Sequence, residues 1–206
     1  MTIYALMIAV SEYPDGISNL PGCKADLAAM EDFFSDYARI NEVDFKPVLL
    51  LNEAASRQGV IENFSHFGQA VADDVCLLYF SGHGAQMPAP PEFWDEETDR
   101  KCETMVLHDS RLPGGRDLAD KELSYLIATH PKAAGQVLAI VDSCHSGTIT
   151  RMATAIPRTA APNNVPVSFE DFLGSETYKK EGKFRHPPVG HHITLSACRP
   201  EQLAME

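Results

Sequence analysis

Two apolar runs, each ending abruptly in small polar residues, constrain this chain more than any other feature. Val137 to Val141 (VLAIV) leads into Asp142, Ser143, Cys144, His145, Ser146 and Gly147, and Val75 to Phe80 (VCLLYF) leads into Ser81, Gly82, His83 and Gly84. An unbroken apolar run of this length reads as a strand buried on both faces of a parallel sheet, and the polar cluster as the loop at its carboxyl end. Open α/β sheets keep their chemistry at those ends. One strand end delivers a thiol and the other an imidazole.

The remaining pattern agrees. Ile3 to Val10 predicts a first strand, followed by a loop dense in Pro, Gly, Asp and Ser (SEYPDGISNLPGC). Leu27, Met30, Phe33, Phe34 and Tyr37 recur at helical spacing and predict a helix from about Lys24 to Ala38. Phe45 to Leu51 is a second strand, and Ser56 can cap a helix whose apolar face is Val60, Ile61, Phe64, Phe67 and Val71. After Val75 to Phe80, the proline- and acid-rich Pro88 to Cys102 reads as a loop, Thr104 to His108 as a short strand, and Glu122 to Thr129 as a helix ending before Pro131. Thr150 to Pro188 lacks a sustained apolar period and mixes prolines with Arg151, Arg158, Lys179, Lys180, Lys183 and Arg185, so it reads as a long mobile connection. Ile193 to Ala197 is a last strand. Strands alternating with helices imply an α/β domain with a mostly parallel sheet and helices on both faces.

Composition narrows the function. A chain of 206 residues with 44% hydrophobic residues suits a single α/β domain with a full core. Asp and Glu outnumber Lys and Arg 29 to 17, for a net charge of −12, which argues against a nucleic-acid surface and towards a cationic partner or substrate. The five cysteines (Cys23, Cys76, Cys102, Cys144, Cys198) are odd in number and form no C-x-x-C pair, so reduced thiols in a cytoplasmic protein are the simplest account. The N-terminal MTIYALMIAV has no basic leader and is too short to span a bilayer, so no membrane partner is expected.

A thiol attacks as thiolate, and a nearby imidazole can take its proton and return it to a leaving amine. His83 and Cys144 lie 61 positions apart, yet both fall at carboxyl ends of strands, on one rim if those strands are neighbours. The backbone N–H groups of Gly84 and Cys144 could then point at a developing oxyanion, completing the minimum set for acyl transfer. The plain alternative is a small buried Cys and a turn His.

The segments YFSGHGAQ and DSCHSGT resemble the two catalytic signatures of metacaspases, the caspase-like cysteine peptidases, and LPGCKADLAAMEDFF resembles that family's segment after the first strand. The resemblance implies a caspase-like three-layer sandwich spanning residues 1–206, with His83 as general base and acid, Cys144 as nucleophile, and Gly84 and Cys144 as oxyanion donors. It also implies an S1 pocket of Cys23, Asp26, Ser81 and Asp142 for a basic P1 side chain. Two carboxylates beside a nucleophile favour an Arg or Lys guest; alternatively Asp142 caps its loop and Asp26 answers its helix dipole. Caspases that cut after Asp carry Q-A-C-x-G, whereas this chain has neither Gln nor Ala before Cys144 and its glycine comes one place later.

Two departures from the family stand out. CHSGT is followed by Ile149, Thr150, Arg151 and Met152 rather than by an acid that helps hold calcium. Calcium takes six to eight oxygens; Asp95, Glu96, Glu97, Asp99 and Glu103 are candidate ligands, but acid-rich loops are usually just solvated, and the expectation is a reaction with no required cofactor and no calcium dependence. The family domain also continues past ITLSAC into a small-subunit part that this sequence lacks after Glu206. A C-terminal small-subunit part or partner chain is therefore expected on the last strand, and the basic residues from Arg151 to Arg185 are candidate self-cleavage sites. The expected function is a cysteine endopeptidase cleaving after Arg or Lys. The alternative is a latent or inactive caspase-like interaction or regulatory domain; a flavodoxin-like module is disfavoured because the first strand–helix loop has no Gly-rich phosphate cradle.

Overall fold

The strand β1 (Thr2–Ala9) is buried along nearly its whole length, as a continuous apolar run requires when neighbouring strands flank it on both sides. Its neighbours are β2 (Asp44–Leu51) and β3 (Val75–Ser81), and the five-stranded sheet runs β10-β7-β3-β1-β2, with β7 covering Gln136–Asp142 and β10 covering Ile193–Ser196. Every pairing in it is parallel. The computed structural model describes residues 1–14, 16–144 and 156–197. Helices α1 (Gly22–Asn41), α2 (Arg57–Asn63) and α3 (Asp120–Thr129) lie around the sheet, giving the α/β class expected from the sequence. Among the described residues no helix is long and apolar enough to cross a membrane.

Several elements differ from the sequence reading. The short strand expected at Thr104 to His108 is β5 (Lys101–Met105), and it leaves the main sheet to pair antiparallel with β4 (Gly84–Pro88) and β6 (Leu118–Ala119). Val106 and Leu107 are fully buried but cross the core outside any strand, with the Val106 N–H donating to the His83 carbonyl at 2.9 Å. The Ser56 hydroxyl does cap α2, accepting the Gly59 N–H at 3.1 Å. That helix stops at Asn63, however, and continues as a 3₁₀ turn over Phe64–Gln69, because the three-residue spacing of Phe64 and Phe67 puts both fully buried rings on one side of a 3₁₀ turn. Val71, expected on the buried face, is exposed, as are Phe33 and Tyr37 of α1.

Within the segment expected as a mobile connection over residues 150–188, the described part carries packed elements. Phe172 and Tyr178 are buried in a second core with Met87, Ala89, Phe93, Cys102 and Ala119, and β8 (Lys179–Glu181) pairs with β9 (Phe184–His186) in a hairpin turned by Gly182 at φ +60°. These apolar residues pack on β4, β5 and their connecting loop rather than along one face of a helix, so they leave no periodic signal in the sequence.

Two ionic clusters pin this segment down. Glu122, only 1% exposed, accepts from Arg57 and Arg116 at 2.6 Å each, from the Leu173 N–H at 2.9 Å and from the Ala119 N–H at 3.2 Å. One carboxylate thereby joins α2, α3 and the chain near residue 173. The second cluster centres on His186, whose Nδ1 lies 2.7 Å from Glu96 and whose Nε2 lies 3.5 Å from Asp95 and 3.8 Å from Glu181.

Glu122→Gln removes the charge between two arginines while keeping the shape, and should lower unfolding free energy by about 3 kcal/mol, read as a lower denaturant midpoint. The Glu96 hydrogen bond, with Asp95 and Glu181 beside it, holds the His186 imidazole above its ordinary 6.5. A raised histidine stabilises fully below the unfolded value and loses its contribution as pH rises through the folded one. Amide exchange in β8–β9 should therefore accelerate as pH climbs above about 6.5, beyond the intrinsic base-catalysed trend, and His186→Gln should abolish that excess.

Candidate active site

The parallel register of β3 and β7 sets Ser81 opposite Asp142. The residues just past each strand, Gly82–His83–Gly84 and Ser143–Cys144, therefore emerge side by side, with the Gly82 N–H donating to the Asp142 carbonyl at 3.3 Å. Gly82 is required by space: a Cβ there would meet the Tyr13 hydroxyl at 2.8 Å and the Phe80 ring at 2.9 Å.

His83 is 1% exposed and is seated by the loop after β1. Its backbone N–H donates to the Tyr13 hydroxyl at 2.8 Å, and that hydroxyl donates to the Val106 carbonyl at 3.1 Å. The two rings lie 4.9 Å apart between centroids. Burial pushes the Tyr13 phenol far above its ordinary value, so it stays a protonated donor. His83 Nε2 lies 2.8 Å from the Ser18 carbonyl. A carbonyl can only accept, so Nε2 carries the ring hydrogen in this arrangement.

Beside this histidine, the chain's own Arg158 fills the cleft. Its side chain is buried, with Nη2 donating to Asp26 at 2.6 Å, Nη1 to the Ser81 hydroxyl at 3.0 Å, and Nη1 also to the Asp142 carboxylate. Burial works against the guanidinium charge, but the Asp26 bond and the nearby Cys23, Asp142 and Asp26 outweigh it and raise its pKa. At the other end of the residue, the Arg158 carbonyl accepts the N–H of Gly84 at 3.0 Å and of Cys144 at 3.1 Å.

The structure thus gathers Ser81, His83, Gly84, Asp142 and Cys144 on one rim, with Asp26 reaching in from α1 and Cys23 buried one turn before it. Four of the acidic candidates for calcium, Asp95, Glu96, Glu97 and Asp99, have other partners. Lys121 takes Glu96 at 3.3 Å, Asp120 at 3.2 Å and Glu97 in a short ion pair, while Asp95 and Glu96 face His186. Asp99 caps its own turn by accepting the Lys101 N–H at 3.1 Å, and Glu103 sits in β5 opposite Gln86. Among the described residues no group of three or more His, Cys, Asp or Glu side chains is arranged to hold a metal ion. His145, Ser146, Gly147, the run from Ile149 to Met152 and Cys198 lie outside the described residues.

Tyr13 and the Ser18 carbonyl carry no motif signal, since their contribution is made through one phenol hydroxyl and one backbone carbonyl in a loop. Arg158 was visible as one of several basic residues between Arg151 and Arg185, but nothing in its neighbours singles it out.

Three comparisons bear on this site. The model of the caspase domain family matches residues 2–206. Metacaspase-7 of Arabidopsis thaliana is 27% identical over 150 residues, which cover 69% of this chain and 34% of that protein, so the chain spans about a third of its relative's length. A solved protein structure from Geobacter sulfurreducens matches with a TM-score of 0.56 and 26% identity, covering 78% of this chain and 58% of the other.

The Arg158 seat can be probed with trypsin on Cys144→Ala protein, where every cut is the added protease's. The bond after Arg158 should resist cleavage. Asp26→Asn with Asp142→Asn should speed trypsin cutting there by about tenfold or more, since charge-assisted bonds to a buried group are worth about 1.5–3 kcal/mol each before solvent screening.

Proposed function

The chain belongs to the caspase domain family of cysteine peptidases, and from that premise we propose that it is an endopeptidase that cleaves after Arg or Lys through Cys144 and His83. The single observation that carries this reading is the way Arg158 is held: its guanidinium between two carboxylates and its carbonyl between two N–H donors. Those are the contacts an Arg at P1 needs. A P1 Asp would instead meet Asp26 and Asp142 with like charge, whereas Lys reaches the same carboxylates with a single ammonium.

In this mechanism the Cys144 thiolate adds to the P1 carbonyl carbon, and the oxyanion that forms accepts from the N–H groups of Gly84 and Cys144. His83, with Nε2–H committed to Ser18, moves the proton on Nδ1: from the thiol, then to the leaving nitrogen as the C–N bond breaks. Water then attacks the thioester with His83 taking its proton, and the carboxylate product leaves as the thiol is restored. No step needs a metal.

The same contacts make the Arg158–Thr159 bond the first substrate, so the intact chain is a latent form that processes itself. A second reading is favoured by the same occupancy: Arg158 stays as a permanent plug, and the chain serves as a caspase-like interaction or regulatory domain. Support for a partner comes from β10, an edge strand with Ile193 and Leu195 about half exposed. A C-terminal small-subunit part or a partner chain extending the sheet there would cover them. Cys76 and Cys102 are buried thiols, which fits a reducing, cytoplasmic setting.

The test pairs fluorogenic peptides ending in Arg or Asp, with and without calcium, using Cys144→Ala as the blank and mass spectrometry for a fragment beginning at Thr159. Arg cleavage and the Thr159 fragment should both appear, independently of calcium, and vanish in the variant. Cleavage after Asp would overturn the pocket assignment, and no cleavage of either peptide would favour the regulatory reading.

A further inference from the structure

We infer that the outer edge of β4, together with Arg111, forms a binding site for the peptide on the leaving-group side of the scissile bond, reading about five residues beyond it. The inference rests on the proposed cleavage after Arg158 for its biological meaning, and on the following geometry for its substance. Counting from the cut, Thr159 is the first residue, Ala160 the second, Ala161 the third and Asn163 the fifth.

One edge of β4 is taken by β5. Along the other edge, Gly84 forms a parallel bridge with Thr159, its N–H on the Arg158 carbonyl at 3.0 Å and its carbonyl accepting the Ala160 N–H at 2.8 Å. A regular parallel ladder would next require the N–H of residue 162, but that residue is Pro162 and has none. The Gln86 carbonyl instead accepts the Asn163 N–H at 2.9 Å. The extra residue between the two bonds leaves the Ala161 carbonyl turned to Arg111, whose Nη1 donates to it at 3.1 Å.

Arg111 is fixed before any peptide arrives. Its Nε and Nη2 clasp the two oxygens of Asp117 at 3.0 and 2.8 Å, and Asp117, 1% exposed, also accepts the Thr104 hydroxyl at 3.0 Å. This fork leaves Nη1 aimed at a peptide carbonyl, and a preorganised donor loses little freedom on binding. The hydrogen bonds described here all go to the peptide's backbone, so the site selects an extended conformation, and Ala160 packing on the main core favours a small residue at the second position. When the bond at Arg158 breaks, the segment that gains the new amino terminus at Thr159 keeps these bonds and stays on β4.

The experiment measures amide exchange by mass spectrometry in the segment spanning residues 159–163, in full-length Cys144→Ala protein where no self-cleavage intervenes. Protection is expected there, and it should fall about tenfold in Arg111→Lys, which keeps a cation on Asp117 but cannot hold Asp117 and Ala161 together. Ala160→Pro, which removes the N–H given to Gly84 at a half-buried position on the margin of the main core, should produce a similar loss, while β4 and β5 amides stay protected. With Cys144 restored, Ala160→Pro should slow the cut at Arg158 about tenfold relative to turnover of an Arg–dye amide, which has no residues to place on β4. Exchange at intrinsic rates in the parent, or unchanged protection in both variants, overturns the inference. Failure to hydrolyse the Arg–dye amide sinks the peptidase reading alone, because the exchange measurement needs no catalysis.

Discussion

Everything in the cleft depends on the register between two parallel strands. Because Ser81 of β3 lies opposite Asp142 of β7, the chain leaves the sheet twice at the same height, once towards His83 and once towards Cys144. A slip of one residue would turn each strand's side chains to the opposite face, separating the hydroxyl and the carboxylate that hold the Arg158 guanidinium. The apolar residues of both runs fix that register through burial, so the core and the site are set by one constraint.

The histidine is held from a third direction. Tyr13 occupies the space that a side chain at position 82 would need, and its hydroxyl links the His83 backbone to Val106. The loop after β1 thus contributes a brace through Tyr13 and an acceptor through Ser18, neither of which needs charge. Charge is concentrated on the other side of the cleft, where the partly exposed carboxylates of Asp26 and Asp142 face the buried Arg158 guanidinium. Uncharged hydrogen bonds for the proton carrier and carboxylates for the guest are two environments separated by a single residue, Gly82, at the end of β3.

The parallel sheet was legible because residues buried on both faces leave unbroken apolar runs, and the rim residues because they end those runs. The segments that were misjudged share a different cause. Phe172 and Tyr178 pack against Phe93 and Cys102, a pairing distant in sequence and without period, so a core residue there looks like any residue in a loop. Tyr37 fits a helical repeat whose buried face is narrower than the repeat suggests, and Val71 lies beyond the 3₁₀ turn that ends at Gln69. For the acids from Asp95 to Glu97, which the sequence offers as calcium candidates or simply a solvated loop, the neighbours Lys121 and His186 come from far along the chain. His83 and Cys144 could be selected from the sequence because each stands beside glycine or serine at a strand end. Arg111 could not, since its importance comes from the buried Asp117 behind it.

The pairing of β10 with β7 over Ile193–Ser196 and Leu138–Val141 gives a cut at Arg158 an unusual character. β7 belongs to the part of the chain before that bond, and β10 to the part after it, as do the buried Phe172 and Tyr178. Severing the backbone there would turn one folded polypeptide into two interlocked ones sharing a sheet and a core. Folding first and dividing afterwards would make such a pair in a single unimolecular step, whereas separated fragments would face a bimolecular search that the intact chain never makes.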